Sequence, residues 1–235
     1  MLKPSIDWRV QMPDAVLFFA AGLGTRMAPL TADRPKPLIN VAGKTLLDHA
    51  LDLATDIPRK VVNVHYKAAM VRTHLAGRDI AISDESDILR ETGGGLRHAL
   101  PLLGNGPVFT MNTDAVWQGS NPFETLANAW NPAKMDGLLL LVNHGRAHGH
   151  TGKGDFELAA DGRITWGPGP IYSGAQIVRT DGLLQTAETA FSMHVLWNQM
   201  LAKRRLFGVV YDGDWCDVGR PESIPMAEAM LKGAS

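Results

Sequence analysis

Two glycines, a threonine and an arginine fall within Gly22-Leu23-Gly24-Thr25-Arg26, directly after the apolar run Ala15 to Ala20. A glycine-rich turn after a buried strand lets the backbone of Ala20, Ala21, Gly22, Gly24 and Thr25 approach a phosphate or a base and offer it N–H donors. The Arg26 guanidinium beside such a turn can grip phosphate oxygens in bidentate fashion. The turn is neither of two familiar phosphate loops. Gly43-Lys44-Thr45 ends like a P-loop, but Leu38 stands where its first glycine belongs. A dinucleotide fingerprint needs a third glycine, and that position is Met27.

Three further segments could act with this loop. In Pro35-Lys36-Pro37 two prolines stiffen the chain around one lysine, a second cation close in sequence to Arg26. Asn112-Thr113-Asp114 follows the apolar run Val108 to Met111, so Asp114 falls at the C-terminal edge of a strand, where α/β sheets bind ligands. A carboxylate there can hold Mg²⁺, which needs only one or two carboxylates and bridges phosphates. Trp215-Cys216-Asp217-Val218-Gly219 supplies a second acid, Asp217, and a cysteine read as packed rather than nucleophilic. Glu91-Thr92-Gly93-Gly94-Gly95 reads as the approach to a helix, with open backbone N–H groups. His144, His148 and His150 have a spacing that could suggest zinc, but their glycine-rich surroundings favour a solvated loop.

The elements that must position these residues alternate. Short apolar runs at 15–20, 60–64, 79–83, 108–111 and 137–142 read as strands, the most apolar of them buried on both faces. Between them, 46–54, 67–75, 96–103 and 123–130 carry helical spacing, and 189–202 and 222–231 follow as helices. Further strands are expected at 171–178 and 206–210. Residues 143–174 break into Gly, His and Pro, a loop-rich insertion expected to wall one side of a cleft. Alternation of this kind predicts an α/β fold: a mostly parallel sheet covered on both faces.

Composition narrows the classes. The chain has 235 residues, 23 basic and 24 acidic, with a net charge of −1. Balanced charge argues against a nucleic-acid partner held by a basic field. An apolar fraction of 45% excludes a disordered chain. One cysteine excludes an internal disulfide. No run reaches the length of a membrane span, and the N-terminal arm, residues 1–13, lacks a signal peptide's apolar core; a cytoplasmic location is the expectation. The arm is expected to pack against the rest of the chain. No oligomeric state is specified.

Taken together, Ala20-Ala21-Gly22-Leu23-Gly24-Thr25-Arg26-Met27-Ala28-Pro29-Leu30-Thr31 and Pro35-Lys36-Pro37-Leu38 resemble the sugar-1-phosphate nucleotidyltransferase family. Thr113 departs from the glycine usual before the metal-binding acid. Within the family, Glu91-Thr92-Gly93-Gly94-Gly95, Ala99-Leu100-Pro101-Leu102-Leu103-Gly104, Gly152-Lys153-Gly154-Asp155-Phe156, Tyr172-Ser173-Gly174 and Trp215-Cys216-Asp217-Val218-Gly219 are similar to the bacterial N-acetylmuramate-1-phosphate uridylyltransferases of peptidoglycan recycling. The resemblance implies a Rossmann-like, mostly parallel mixed sheet of the nucleotide-diphospho-sugar transferase type, as a single domain over residues 1–235.

It also implies the reaction: a sugar 1-phosphate attacks a nucleoside triphosphate, UTP in the leading reading, and pyrophosphate leaves. By resemblance Arg26 and Lys36 are catalytic, and Asp114 and Asp217 hold Mg²⁺. Glu85 with the Gly93–Gly94 backbone would face the base, while Thr92, Asn112, Asp155 and Ser173 would contact the sugar. Guanylyl or thymidylyl transfer to mannose, heptose or glucose 1-phosphate is the alternative within the class. A regulatory homologue without catalysis is the alternative outside it, and the presence of all four charged residues counts against it.

Overall fold

The computed structural model describes residues 12–233. In chain order the first elements are β1 (Ala15–Phe19), β2 (Asn40–Val41), β3 (Lys44–Thr45), α1 (Leu46–Asp52), β4 (Arg59–Val64), α2 (Ala68–Leu75), β5 (Ala81–Asp84) and α3 (Glu91–Leu103). Then come β6 (Val108–Asn112), β7 (Ala115–Gln118), α4 (Pro122–Ala129), β8 (Gly137–Val142), β9 (Ala147–His148), β10 (Phe156–Leu158) and β11 (Ile164–Trp166). The last are β12 (Ile171–Val178), α5 (His194–Ala202), β13 (Leu206–Val210), β14 (Asp214–Asp217) and α6 (Ser223–Lys232). The expected packing of the arm falls on residues that, up to residue 11, lie outside those described.

Seven strands form the central sheet in the order β13-β8-β12-β6-β1-β4-β5. All neighbours are parallel except β12, which runs antiparallel to both β6 and β8. The expectation of a mostly parallel mixed sheet is therefore met. The apolar runs explain themselves by alternation: Val16 and Phe18 of β1 enter one core, Ala15 and Leu17 the other. The first core takes Leu47, Leu51, Val71, Leu75, Phe123 and Leu126 from α1, α2 and α4. The second takes Leu96, Leu103, Leu196 and Met200 from α3 and α5. β8, Gly-Leu-Leu-Leu-Leu-Val, is buried at every position because both faces are covered.

Three expectations change. The Gly93–Gly95 run lies inside α3, not before it. Glycines in a helix cost about 1 kcal/mol each relative to alanine, and here close approach explains them. A Cβ on Gly93 would stand 2.6 Å from the Phe191 ring, one on Gly94 2.4 Å from Thr189 O, and one on Gly95 2.7 Å from Glu85 Oε1. The helix expected from 189 starts only at His194, because residues 189–191 run against α3: the Phe191 carbonyl accepts both the Gly93 and the Gly94 N–H. The insertion over 143–174 is not merely loop, since it holds β9 and the β10–β11 hairpin. Among the described residues, no helix is long and apolar enough to cross a membrane.

A second, three-stranded sheet matters for function. Its order is β7-β14-β9. β7 leaves the end of β6, and β14 pairs with it antiparallel, setting Asp217 opposite Ala115.

Candidate active site

The site is assembled at the C-terminal ends of β1 and β6, where parallel sheets bind ligands. After β1 the chain turns at Gly24, whose φ of +65° is left-handed, a conformation strained for other residues. A Cβ on Gly24 would lie 2.9 Å from Lys36 Cβ, so this turn and the Pro35–Pro37 segment are packed backbone to side chain. Thr31 Oγ1 donates to Gly24 O at 3.0 Å and holds the turn closed. Gly22 differs: a Cβ there would meet nothing within 4 Å, so the loop presents open backbone. Ala20 and Ala21 are buried, and the Ala20 N–H donates to Asn63 Oδ1 at 2.7 Å, so this amide is not free for a ligand. Thr25 and Arg26 are exposed on the short helical turn that follows.

Pro35 is extended, and Pro37 is buried in the turn Lys36–Leu38. These anchors aim Lys36 inward: its Nζ donates to Asp114 Oδ2 at 2.9 Å. The two side chains are 12% and 31% exposed, a pair screened only in part by water. Thr113, unusual at its position, is accounted for by packing. It is buried, and its Oγ1 donates to Phe19 O at 2.8 Å, tying the ends of β6 and β1 together.

Asp217 comes from the other end of the chain. The β7–β14 register puts it beside Asp114, and the Val218 N–H donates to the Asp114 carbonyl at 2.8 Å. Burial, and next the Asp114 carboxylate, push the Asp217 carboxyl above its ordinary range, while Lys36, Arg26 and His150 pull it back. Two acids that repel each other next to a lysine are a donor set suited to Mg²⁺. Among the described residues, no group of three or more His, Cys, Asp and Glu is placed to hold a metal ion. His148 instead bonds Asp214 at 3.0 Å. Burial pushes the Cys216 thiol up to about 11, so it is not a nucleophile at neutral pH.

Two adjoining cavities of about 330 Å³ each open at Gly22 of the glycine loop and at Asn112, the last residue of β6, and Phe19 and Thr92 line both. The first is bounded by Ala21, Gly22, Asn63, Leu89 and Glu91, a slot of mainly apolar walls beside the glycine loop. The second holds Asn112, Asp155, Tyr172 and His194, with Phe156, Trp166 and Trp197 as an aromatic wall. Phe156 stacks on Trp166 at 4.5 Å, and Trp197 meets Tyr172 edge-on at 4.9 Å.

Of the residues expected at the site, Gly22, Lys36, Thr92, Asn112, Asp114, Asp155 and Asp217 come together, with Gly24, Thr25 and Arg26 on the same loop. Glu85, Gly93, Gly94 and Ser173 do not. Glu85 is wholly buried, accepting from Asn63 Nδ2 at 2.7 Å and from the Arg90 N–H at 3.2 Å, so it braces the end of β4 instead of facing a base. The Gly93 and Gly94 N–H groups are taken by Phe191 O. Ser173 points to the sheet face opposite Tyr172 and donates to Leu140 O at 2.7 Å, as alternation along β12 requires. Sequence reasoning missed Leu89, Asn63 and the aromatic wall. It also set aside His150, whose charge reaches Asp217 because β9 pairs with β14.

Comparison with known proteins agrees with this geometry. A family model described as a MobA-like NTP transferase domain matches residues 16–210. The N-acetylmuramate alpha-1-phosphate uridylyltransferase of Caulobacter vibrioides is 41% identical, covering 95% of this chain and 99% of the relative. The enzyme of the same name from Neisseria meningitidis is 32% identical, over 91% and 96%. Among solved structures, HddC from Yersinia pseudotuberculosis complexed with GMP-PN superposes with a TM-score of 0.72 at 20% identity, covering 92% of this chain and 99% of that one. A putative glucose-1-phosphate thymidylyltransferase from Bacillus anthracis gives 0.74 at 16% identity, over 93% and 95%. These two establish the shared fold. With the family matched across most of its length, the chain belongs to the MobA-like NTP transferase domain family and is a nucleotidyltransferase.

Proposed function

We propose that this protein transfers a uridylyl group from UTP to N-acetylmuramate 1-phosphate in the bacterial cytoplasm, as a step of peptidoglycan recycling. The observation that carries the reading is the Lys36–Asp114 pair, with Asp217 beside it, near a slot at the glycine loop and an adjoining polar-aromatic cavity lined by Asn112. The identity to the two full-length relatives selects the base and the sugar.

In this reading the nucleoside occupies the slot at Ala21, Gly22 and Leu89, and the sugar occupies the cavity at Asn112 and Asp155. A phosphate oxygen of the sugar 1-phosphate bonds to the α-phosphorus of UTP. The bridge from α- to β-phosphate breaks, and pyrophosphate leaves with the electron pair. The attacking phosphate is already ionised, so no general base is required. Catalysis then consists of alignment and charge compensation. Lys36 holds oxygens of the α-phosphate and of the incoming phosphate. Arg26 receives the charge on the departing pyrophosphate. Asp114 and Asp217 would hold Mg²⁺; the chemistry a bound Mg²⁺ supplies there is neutralisation of the facing anions.

The test is pyrophosphate release by the purified protein with Mg²⁺, crossing four nucleoside triphosphates with a panel of sugar 1-phosphates. Turnover confined to UTP with N-acetylmuramate 1-phosphate is expected. Preference for another pair would overturn the substrate reading.

A further inference from the structure

The polar groups of the aromatic cavity are sorted by kind. Thr92, Ser192 and His194 meet on one wall. The Met193 N–H donates to Thr92 Oγ1 at 3.0 Å, and the His194 N–H donates to Ser192 Oγ at 3.2 Å. A hydroxyl has one donor and two acceptor lone pairs. Each oxygen here already accepts from the backbone, so its own O–H remains to donate to a ligand.

His194 is held by its neighbours. Its ring lies over Trp197 at 5.1 Å with 29° between the planes, and meets Trp166 edge-on at 5.1 Å. Trp197 is itself fixed, because its Nε1 donates to Gln176 Oε1 at 2.9 Å while Gln176 Nε2 donates to Thr110 at 3.0 Å. Among the described residues lining this cavity there is no lysine or arginine, and His194 is the one imidazole. The acid of the cavity, Asp155, belongs to the hairpin side and accepts the Tyr172 N–H at 2.8 Å.

A neutral sugar hydroxyl is served equally by donors and acceptors, as at Asp155. Two hydroxyls that each already accept a backbone N–H and keep an O–H to donate, beside an imidazole N–H, suit an anion. We propose that Thr92, Ser192 and His194 form a carboxylate-reading corner that selects a sugar phosphate bearing an acid side chain. This inference rests on the uridylyltransferase reading above and names the residues that tell N-acetylmuramate 1-phosphate from N-acetylglucosamine 1-phosphate, which lacks the lactyl carboxylate. The ring donates through an N–H, which the neutral imidazole also possesses, so the discrimination needs no change of charge.

The experiment measures kcat/KM for both sugar phosphates with UTP and Mg²⁺, in the wild type and in His194→Ala, His194→Gln and Ser192→Ala, with melting temperatures in parallel. The quantity read is the ratio of the two kcat/KM values, which a general loss of folded enzyme does not move. His194→Ala should lower the ratio about tenfold or more, the scale of one charge-assisted hydrogen bond, mainly through KM for the acidic sugar. His194→Gln, which keeps a donor, should recover part of it, and Ser192→Ala should lower it severalfold. A ratio unchanged in His194→Ala and Ser192→Ala, with the wild type still preferring the acidic sugar, would overturn the corner and leave the proposed function standing. A wild type that prefers the sugar without the carboxylate would overturn both.

Discussion

Replacing Gly22 and Gly24 separately with alanine divides the two jobs of the glycine loop. A methyl group at Gly24 enters a backbone at φ +65° and stands 2.9 Å from Lys36 Cβ and 3.0 Å from Thr31 Cγ2. The left-handed conformation costs about 1–2 kcal/mol, and the overpacking about 1–3 kcal/mol more. In a chain of this size each kcal/mol lowers the melting temperature by about 2–4 °C, so Gly24→Ala should melt about 5–15 °C lower. A methyl group at Gly22 meets nothing within 4 Å, and no positive φ stands in its way. It should leave the melting temperature unchanged or raise it by about 1–3 °C, since alanine also restricts the unfolded chain. That methyl projects where the nucleotide is proposed to lie. Its KM for the nucleoside triphosphate should therefore rise by about 5- to 100-fold, the equivalent of about 1–3 kcal/mol of overpacking. Thermal melts and steady-state kinetics at saturating sugar phosphate read both. A Gly22→Ala enzyme with a nucleotide KM within about twofold of wild type would refute the reasoning, because the open backbone would then not face the nucleotide.

Three further outcomes follow from the same geometry. Lys36→Ala should cut kcat by about a hundredfold or more, while shifting stability by only about 1 kcal/mol, as suits a partly exposed pair; a large fall in melting temperature with kcat preserved would make Lys36 structural. Asp217→Asn should raise the melting temperature in the absence of metal at neutral pH. Burial and Asp114 raise the Asp217 carboxyl in the folded state, so its stabilising contribution is full below the unfolded value and is lost as pH rises through the folded one; the gain from asparagine shrinks on acidification, and a metal-free melting temperature below wild type at neutral pH would contradict it. Ser173→Ala should cost about 1–3 kcal/mol by leaving Leu140 O without its partner, with the sugar-phosphate KM nearly unchanged, whereas a raised KM with normal stability would return Ser173 to the sugar site.

The central strands and the groups proposed to face the phosphates were legible because each is written in a short stretch of chain. Ala15 to Phe19 must be buried, and a glycine turn with an arginine must follow it; Lys36 between its prolines and Asp114 after its strand are equally local. That Asp217 joins Asp114 was legible only as a resemblance, since the cause is the antiparallel pairing of β14 with β7, remote segments that no periodicity links. Glu85 and the Gly93–Gly95 run misled because one residue type serves two purposes. Small residues open a backbone to a ligand, and they equally let a helix settle against Phe191 and Glu85. Ser173 misled by one place, the residue shift that turns a side chain from one sheet face to the other. The aromatic wall was invisible because Phe156, Trp166, Tyr172 and Trp197 lie on four separate elements and each alone reads as core.

A one-pot competition tests the central claim most directly. The purified protein is given Mg²⁺, all four nucleoside triphosphates at equal concentration, and an equimolar mixture of N-acetylmuramate, N-acetylglucosamine, glucose and mannose 1-phosphates, and the nucleotide sugars formed are identified by mass. UDP-N-acetylmuramate as the dominant product, absent when Asp114→Asn replaces the wild type, is the predicted result. A dominant product with another base or another sugar, or equal product from Asp114→Asn, would contradict it.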